Sequence, residues 1–399
     1  MSRGPFAYAS SILIGVAGVA AFAAVVWSCM IYDGSLLLPA APPAEEAAPP
    51  PDAGGPGPSC PLATWPRKPA ADDPSVGPDR TFVLALRSID YGLGRDGGVP
   101  RDFGFDLDGV CTCEAKTQSG DSCVAFNDAG PHCDLDEGRD SMVTELLVLF
   151  NQVYKNAVSQ EEVNDSLRKG LYGFLVRVSG YNGTANDTRV EVAVYNSPGN
   201  EGVQDGGFPK PPLEDGTDRW TVDPLSLLSG SGAPDYPPVY VDDTAYVANR
   251  RLVASLDFPV TFASVVNGTA AITVDLKGSV VVGTLVPDGN SWRVDDGTLT
   301  GRWPSSSLLT ALEVLPEPAP STAFLCGDGG VYRNIVQPLI CNGQDIATLS
   351  RDDRLGQPCD AISLSLGFTA RPAQLGDVVV PSPKPRPCGV DWRAQCDRR

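Results

Sequence analysis

The sequence predicts a mainly β domain, a β-sandwich-like fold of the jelly-roll or concanavalin-like kind, with a few short helices and disulfide staples. Three observations predict it. Short segments rich in Val and Thr, alternating or continuous in apolar residues, follow one another from residue 81 onward. Glycine and proline number 42 and 37, which favours many turns. Eleven cysteines include ten after the apolar N-terminal segment, and that even number is typical of a disulfide framework.

The N-terminal region predicts export from the cytoplasm. Residues 1–10 form a short segment whose only charged side chain is Arg3, and residues 11–32 contain no charged side chain. The apolar stretch is long enough to cross a bilayer as a helix. Because the positive charge precedes this stretch and Asp33 follows it, the bulk of the chain is expected outside the cytoplasm. Three interpretations stay open: a retained transmembrane anchor, a lipoprotein signal ending at Cys29, and a cleaved signal peptide.

The rest of the chain divides into three predicted parts. Residues 33–79 are rich in Pro, Ala and Gly, so they predict a semi-rigid linker. Cys60 is expected to attach the far end of this linker to the folded part. Residues 80–380 predict the β-rich extracytoplasmic domain. Residues 381–399 form a Pro-rich tail with two cysteines.

Within the domain, the apolar spacing predicts elements in a definite order. A buried strand over 81–86 comes first, and helices over 141–154 and 158–169 follow an acidic stretch. Further strands are predicted near residues 171–178, 189–195, 218–223, 239–248, 251–257, 260–266, 271–276, 279–286, 291–294, 297–303 and 362–369. Two more short helices are predicted over 305–315 and 331–341.

Five aspartates in the acidic stretch predict a metal site. Carboxylate oxygens are the ligands that Ca²⁺ prefers, and glycines nearby allow a chain to turn around an ion. The alternative is a pair of solvated acidic turns whose carboxylates cap backbone amides. The predicted calcium ligands are Asp106, Asp108, Asp134, Asp136 and Asp140.

Cysteines and the only histidine lie in the same stretch, so zinc is a further alternative. Thiolate and imidazole groups are zinc ligands, but an oxidising compartment favours disulfides. We expect the cysteines between 111 and 133 to bond mostly among themselves, and Cys388 to pair with Cys396. The zinc set comprises Cys111, Cys113, Cys123, His132 and Cys133.

Composition and motifs exclude several function classes. A net charge of −19 repels phosphate backbones, so no nucleic-acid partner is expected. His132 is the only histidine, and the chain contains no nucleophile elbow, phosphate loop or dinucleotide fingerprint. A glycoside hydrolase needs only two carboxylates, so that class of enzyme stays open.

Three segments carry a resemblance: GFDLDG at 104–109, GRD at 138–140 and VRVSGYNGTANDTRVEV at 176–192. The chain resembles a family of uncharacterised secreted or lipoprotein-like proteins of myxobacteria and related bacteria. The resemblance implies a β-rich protein of the cell envelope and names no catalytic residue.

We therefore predict a membrane-anchored or secreted binding or structural protein of the bacterial cell envelope. Its partners are the membrane, through the N-terminal segment, and a glycan or protein of the envelope. Calcium is the expected cofactor. The alternative function is a carbohydrate-active hydrolase that uses a carboxylate pair on a β-sandwich.

Overall fold

The computed structural model describes residues 62–75, 77–93, 103–112, 122–126, 132–153, 159–202, 209–228, 237–265, 270–317, 324–326, 330–354, 356–381, 387–389 and 395–396. The chain divides into two compact units, Met1–Gly57 and Pro58–Arg399, and every described residue belongs to the second. The predicted membrane segment 11–32 lies outside the described residues. Among the helices that are described, none is long and apolar enough to cross a membrane.

Strands dominate the described part of the chain. The strands are β1 Arg80–Asp90, β2 Gly173–Tyr181, β3 Glu191–Ser197, β4 Arg219–Val222, β5 Tyr240–Asp242, β6 Tyr246–Ala248, β7 Arg251–Val265, β8 Ala270–Asp288, β9 Ser291–Pro304 and β10 Ala361–Val378. The α-helices are α1 Met142–Val153, α2 Gln160–Arg168, α3 Ser305–Ala311 and α4 Gln337–Asn342.

Hydrogen bonds join these strands into one curled sheet with the order β5-β3-β2-β1-β10-β9-β8-β7-β6, and β4 pairs with β10. Every pairing is antiparallel except that of β4 with β10. The curl brings the two ends of the sheet together, because Asp187 and Val247 exchange backbone hydrogen bonds of 2.9 and 2.8 Å. Inside the curl, the rings of Phe174 and Phe258 lie 6.2 Å apart.

The strand β10 shows how the sequence produces both faces of the sheet. Successive side chains of a strand point to opposite faces. Ile362, Leu364 and Leu366 belong to the interior apolar cluster, whereas Ser363 and Ser365 lie on the outer face. Both serines are buried, so other parts of the chain cover the outer face as well.

Helices close the interior of the curled sheet. Met142 and Leu146 of α1, with Val163 and Leu167 of α2, belong to the same buried apolar cluster as the strands. Full burial of a side chain of this size contributes about 1.5–3 kcal/mol. The interior is therefore a packed hydrophobic core.

Two different coverings lie on the outer face. Trp220 of β4 packs at one end against Leu175 and Ala373. At the other end Phe105 packs against Val280, and the loops that carry Phe105 also carry the acidic residues. The position of the acidic loops is thus set by an apolar contact.

Residues 62–75 belong to the predicted linker 33–79, and they lie on the domain. Ala63 N donates to Glu137 O at 2.8 Å, and Asp73 Oδ2 accepts a hydrogen bond from Asn186 N at 2.8 Å. This last part of the linker segment is therefore attached to the acidic loops at one point and to the 182–188 loop at another.

Each of the eight cysteines in the described residues is in a disulfide. Three pairs have both partners described: Cys123–Cys359, Cys326–Cys388 and Cys341–Cys396. The predicted pairing of Cys388 with Cys396 is wrong, because each bonds to a residue far earlier in the chain. Cys123 also bonds outside the predicted group of 111–133. Closeness along the chain does not determine which cysteines the fold brings together.

The prediction of a mainly β protein with a few short helices and disulfides is confirmed. The sequence predicts separate strands over 271–276 and 279–286, yet β8 is continuous because Gly278, at φ +52°, absorbs a register shift. The region 239–248 instead forms two short strands. Asp242 Oδ1 accepts a hydrogen bond from Thr244 N at 2.8 Å and turns the chain between them.

Candidate functional site

The candidate site is built by two loops, residues 103–112 and 132–140, on the outer face of the sheet. Gly104 has φ +112°, and a Cβ there would lie 2.7 Å from the Cβ of Ser365, so only glycine fits against β10. Ser365 Oγ donates to Asp140 O at 2.7 Å, which holds the second loop on the same strand. The two loops are therefore fixed at one place on β10.

Three of the five predicted calcium ligands converge in these loops. Asp106, Asp108 and Asp140 each offer a carboxylate oxygen, and these oxygens lie within 4.8 Å of one another. Asp106 and Asp140 are buried, and Asp108 is half-buried. Since Ca²⁺ binds oxygen at about 2.3–2.6 Å, two oxygens bound to one ion lie at most about 5 Å apart. The spacing of this group, the acidic triad, thus fits one calcium ion.

Each member of the acidic triad uses one carboxylate oxygen to order the first loop, residues 103–112. Asp106 Oδ1 accepts a hydrogen bond from Gly109 N at 2.7 Å, and Asp140 Oδ2 accepts one from Leu107 N at 2.6 Å. Asp108 Oδ1 binds a following amide at 2.8 Å in the same way. Because a carboxylate oxygen has two lone pairs, these hydrogen bonds still leave each of the three carboxylates able to bind a cation.

Burial and mutual repulsion oppose the ionisation of this group. Burial, followed by the charge of Asp108, raises the pKa of Asp106 to about 7. Burial, again followed by the Asp108 charge, raises the pKa of Asp140 well above its usual range. No ion pair within the described part of the chain involves a member of the triad. Ionised triad carboxylates therefore repel one another without a compensating partner.

Two further aspartates border the acidic triad. Asp134, a predicted ligand, accepts a hydrogen bond from Thr112 N at 2.6 Å, and burial raises its pKa to about 7. Asp345, which the sequence analysis missed, is half-buried, and the amide of Ser363 donates to Asp345 Oδ1 at 2.8 Å. Burial raises the pKa of Asp345 to about 6. The outward-facing serines of β10 are the sequence signal that could have indicated a buried polar neighbour.

The fifth predicted ligand, Asp136, is not part of this group. It is exposed and begins the short helical turn Asp136–Gly138. Asp134, two residues earlier, is half-buried and binds Thr112 N, whereas Asp136 is exposed in that turn. An Asp-x-Asp spacing alone therefore does not bring both carboxylates to one ion.

A buried arginine anchors the first loop from below. Arg302 of β9 donates to Leu107 O at 2.6 Å and to Ala347 O at 2.7 Å. Its guanidinium also forms an ion pair of 2.6 Å with Asp353, and both side chains are 3% exposed. Because loss of one partner leaves a buried charge uncompensated, such a pair holds the loop to the sheet.

The zinc alternative fails for three of its members. Cys111, Cys123 and Cys133 are in disulfides, so they offer no thiolate to a metal. His132 contacts the backbone oxygen of Asn342 through Nε2. Disulfide formation in this loop region favours the oxygen ligands over the sulfur ligands.

Comparisons with protein-family models, curated proteins and solved structures found no match for this chain. The resemblance to secreted proteins of myxobacteria stays a prediction.

Proposed function

We propose that this chain is an extracytoplasmic binding or structural protein of the bacterial cell envelope, anchored by residues 11–32 and stabilised by Ca²⁺ in its acidic loops. One observation carries the proposal: the oxygens of Asp106, Asp108 and Asp140 lie within 4.8 Å of one another in loops attached to the sheet. A cation at that point offsets the repulsion among them.

The donor set favours Ca²⁺ over other common cations. Zn²⁺ prefers sulfur and nitrogen, and the described cysteines are all oxidised. Mg²⁺ demands near-ideal octahedral geometry and usually keeps several waters, whereas Ca²⁺ accepts flexible geometry and several carboxylates. Three carboxylate oxygens within 4.8 Å of one another therefore suit Ca²⁺. Asp134 beside the triad adds a fourth carboxylate, and water completes the six to eight ligands that Ca²⁺ takes.

The disulfides support the location. They indicate an oxidising, extracytoplasmic environment, since cytosolic proteins rarely keep such bonds. The uncharged segment 11–32 supports membrane attachment, and the resemblance to envelope proteins of myxobacteria agrees with that location. The curled sheet, covered on its outer face, supplies the sandwich-like scaffold on which a binding surface is displayed.

Thermal unfolding of the purified full chain tests the calcium site. Excess Ca²⁺ should raise the melting temperature relative to EDTA. At a free calcium concentration ~100-fold above Kd, binding adds about 2.7 kcal/mol to the free energy of unfolding. Since each kcal/mol raises the melting temperature of a domain of this size by about 2 °C, the rise should reach about 5 °C. Mg²⁺ should have a smaller effect.

Two matched variants give this measurement a control. Asp108→Asn and Asp136→Asn each remove one negative charge, but only Asp108 belongs to the acidic triad. The calcium-induced rise should shrink in the first variant and persist in the second. Identical melting temperatures in EDTA and calcium for the native chain would contradict the calcium proposal.

The hydrolase alternative is favoured by one observation in the same loops. Asp106 has its pKa raised to about 7, as a general acid requires, and a carboxylate oxygen of Asp108 lies within 4.8 Å of it, so two carboxyl groups share one place. Assays with aryl glycosides in EDTA and in calcium separate the two functions. Turnover that is lost in Asp106→Asn supports the hydrolase, whereas calcium stabilisation without turnover supports the binding protein.

A further inference from the structure

A polar cleft of about 370 Å³ lies beside the acidic loops. Residues 62–64, 103–105 and 137–139 form its walls, together with Arg251 of β7 and Thr298 of β9. Its volume is in the range of small-molecule sites, about 300–1,000 Å³. Its lining is mainly polar, in contrast to the usual apolar ligand pocket.

Backbone hydrogen bonds hold the walls of this cleft together. Ala63 N donates to Glu137 O at 2.8 Å, and Asp106 N donates to Ala63 O at 2.8 Å. Within the third wall, Leu135 N donates to Arg139 O at 3.0 Å. Three stretches that are distant in sequence are therefore cross-linked, and the cleft is preformed.

The charges in the cleft differ in sign from those of the protein as a whole. Arg251 and Arg139 provide two guanidinium groups, and Glu137 provides one carboxylate. Glu137 pairs with Arg139 at 2.5 Å. Among the residues that the structure describes, no hydrogen bond or ion pair involves the guanidinium of Arg251. On a chain of net charge −19, this cleft therefore presents a guanidinium group, that of Arg251, that forms no ion pair within the described part of the chain.

The backbone also favours a ligand-facing role for the third wall. Glu137 has φ +64°, a left-handed conformation that is uncommon for a residue other than glycine. Residues held in such conformations cluster at ligand sites. The conformation places the Glu137 carboxylate in the cleft lining, beside Arg139.

We propose that this cleft binds a small acidic sugar, a uronic acid or its glycoside. Arg251 binds the sugar carboxylate, because a guanidinium matches a carboxylate with two parallel hydrogen bonds. Glu137 and Thr298 accept hydrogen bonds from the sugar hydroxyls, and Phe103, whose ring lies over Gly367, provides an apolar wall for the sugar ring. This proposal deepens the binding role proposed above and does not depend on calcium.

The lining argues against other anionic or apolar ligands. A lipid chain requires a lining that is mainly apolar, whereas the lining of this cleft is mainly polar. Phosphate or sulfate alone would bind Arg251 but would offer no hydroxyl to Glu137, whose carboxylate can accept hydrogen bonds beyond its pair with Arg139. A ligand with one carboxylate and several hydroxyls satisfies both groups at once.

Calorimetric titration of the full chain with methyl glucuronide tests the proposal, with methyl glucoside and acetate as comparison ligands. The glucuronide should bind, and both comparison ligands should bind at least about tenfold more weakly, because each lacks half of the recognised groups. Arg251→Gln should weaken glucuronide binding at least about tenfold as well. Arg168→Gln, which makes the same charge change on α2, should leave it unchanged.

Three outcomes would overturn the assignment. These are no binding of glucuronide to the correctly folded chain, equal binding of glucuronide and acetate, and undiminished binding by Arg251→Gln. Melting temperatures of both arginine variants verify their folding, and Glu137→Gln provides a second variant if Arg251→Gln does not fold. Each titration is run in EDTA and in calcium, so a failure of the calcium site is distinguished from a failure of sugar binding.

Discussion

The two halves of β10 have different coverings on their outer face. In the first half, Ser365 donates to Asp140 O at 2.7 Å, and Ser363 binds the half-buried carboxylate of Asp345. In the second half, Ala373 packs beneath Trp220. The inner face of the first half is apolar and belongs to the main core. One strand is thus covered by a polar network at one end and by apolar contact at the other.

The difference between the two coverings indicates which end of β10 should change in stability with pH and cation concentration. Burial of apolar surface contributes stability that depends little on pH or ions. A network of buried carboxylates depends on protonation and on cations, because an unpaired buried charge is costly. We therefore expect sensitivity to calcium and pH at the Asp140 end of β10 and not at the Trp220 end.

The largest expected effect comes from the apolar end. Trp220→Ala should reduce the free energy of unfolding by about 3–5 kcal/mol, because it removes a fully packed aromatic side chain and leaves a cavity. The loss should be the same in EDTA and in calcium. Urea unfolding in both conditions measures it, and Leu225→Ala, at a residue 76% exposed, provides a control expected within about 0.5 kcal/mol of the native chain. A loss that differs strongly between the two conditions would contradict the separation of the two ends.

The second largest effect is expected from loss of the disulfide beside the polar end of β10. Replacing both Cys123 and Cys359 by alanine should destabilise the fold by roughly 2–5 kcal/mol, as loss of a native bridge does. This bridge borders the acidic loops, since Cys123 Sγ lies 3.5 Å from Asp345 O. The calcium-induced rise in melting temperature should therefore shrink as well. Calorimetry of the double variant measures both quantities.

The matched control is the bridge between Cys341 and Cys396, which ties the C-terminal tail to α4. Its removal should cost a similar free energy of unfolding. The calcium-induced rise should stay as in the native chain, because this bridge joins the C-terminal tail to α4, whereas Cys123 lies beside Asp345. An equal loss of calcium response in both variants would show that the response is not local.

Much of the fold could be predicted because a strand leaves a pattern of period two in its own sequence. Most strands were predicted near their observed places on that basis. The helix α1 was predicted from the helical spacing of its apolar residues. Strand ends were harder to predict, because a register shift such as that at Gly278 lets one strand continue through an apparent break. The curl of the sheet joins residues as distant as Asp187 and Val247, and no local pattern reports that contact.

The candidate site could be predicted only as far as its residues are close in sequence. Asp106 and Asp108 lie in one loop, and their spacing indicated a shared role. Asp345 and Arg302 reach the site from distant segments, as isolated residues in apolar or mixed surroundings. Asp136 was predicted with them, yet a single turn of the chain directs it to solvent.

The smallest expected effect is the dependence of stability on pH at the acidic end. Burial raises the pKa of Asp106 and of Asp134 to about 7 in the folded chain, whereas an unfolded aspartate has a pKa of about 3.9. Between these values the folded state binds more protons than the unfolded state, so stability should fall as pH rises toward 7. Melting in EDTA should therefore be higher near pH 5 than near pH 8. Calcium should narrow this difference, because it compensates the ionised carboxylates.

A variant assigns this slope to the acidic loops. Asp134→Asn should flatten the fall between about pH 5 and 8 by on the order of 1 kcal/mol, once solvent screening of a half-buried group is discounted. Asp165 at the end of α2 provides the opposite control, because its hydrogen bond with Lys169 lowers its pKa. The stability that Asp165 contributes is fully present at every pH well above the pKa of an unfolded aspartate. Asp165→Asn should therefore leave the dependence of stability on pH between about pH 5 and 8 unchanged. If Asp134→Asn retains the full slope, the polar end of β10 is not the origin of the pH response, and the contrast with the Trp220 end fails.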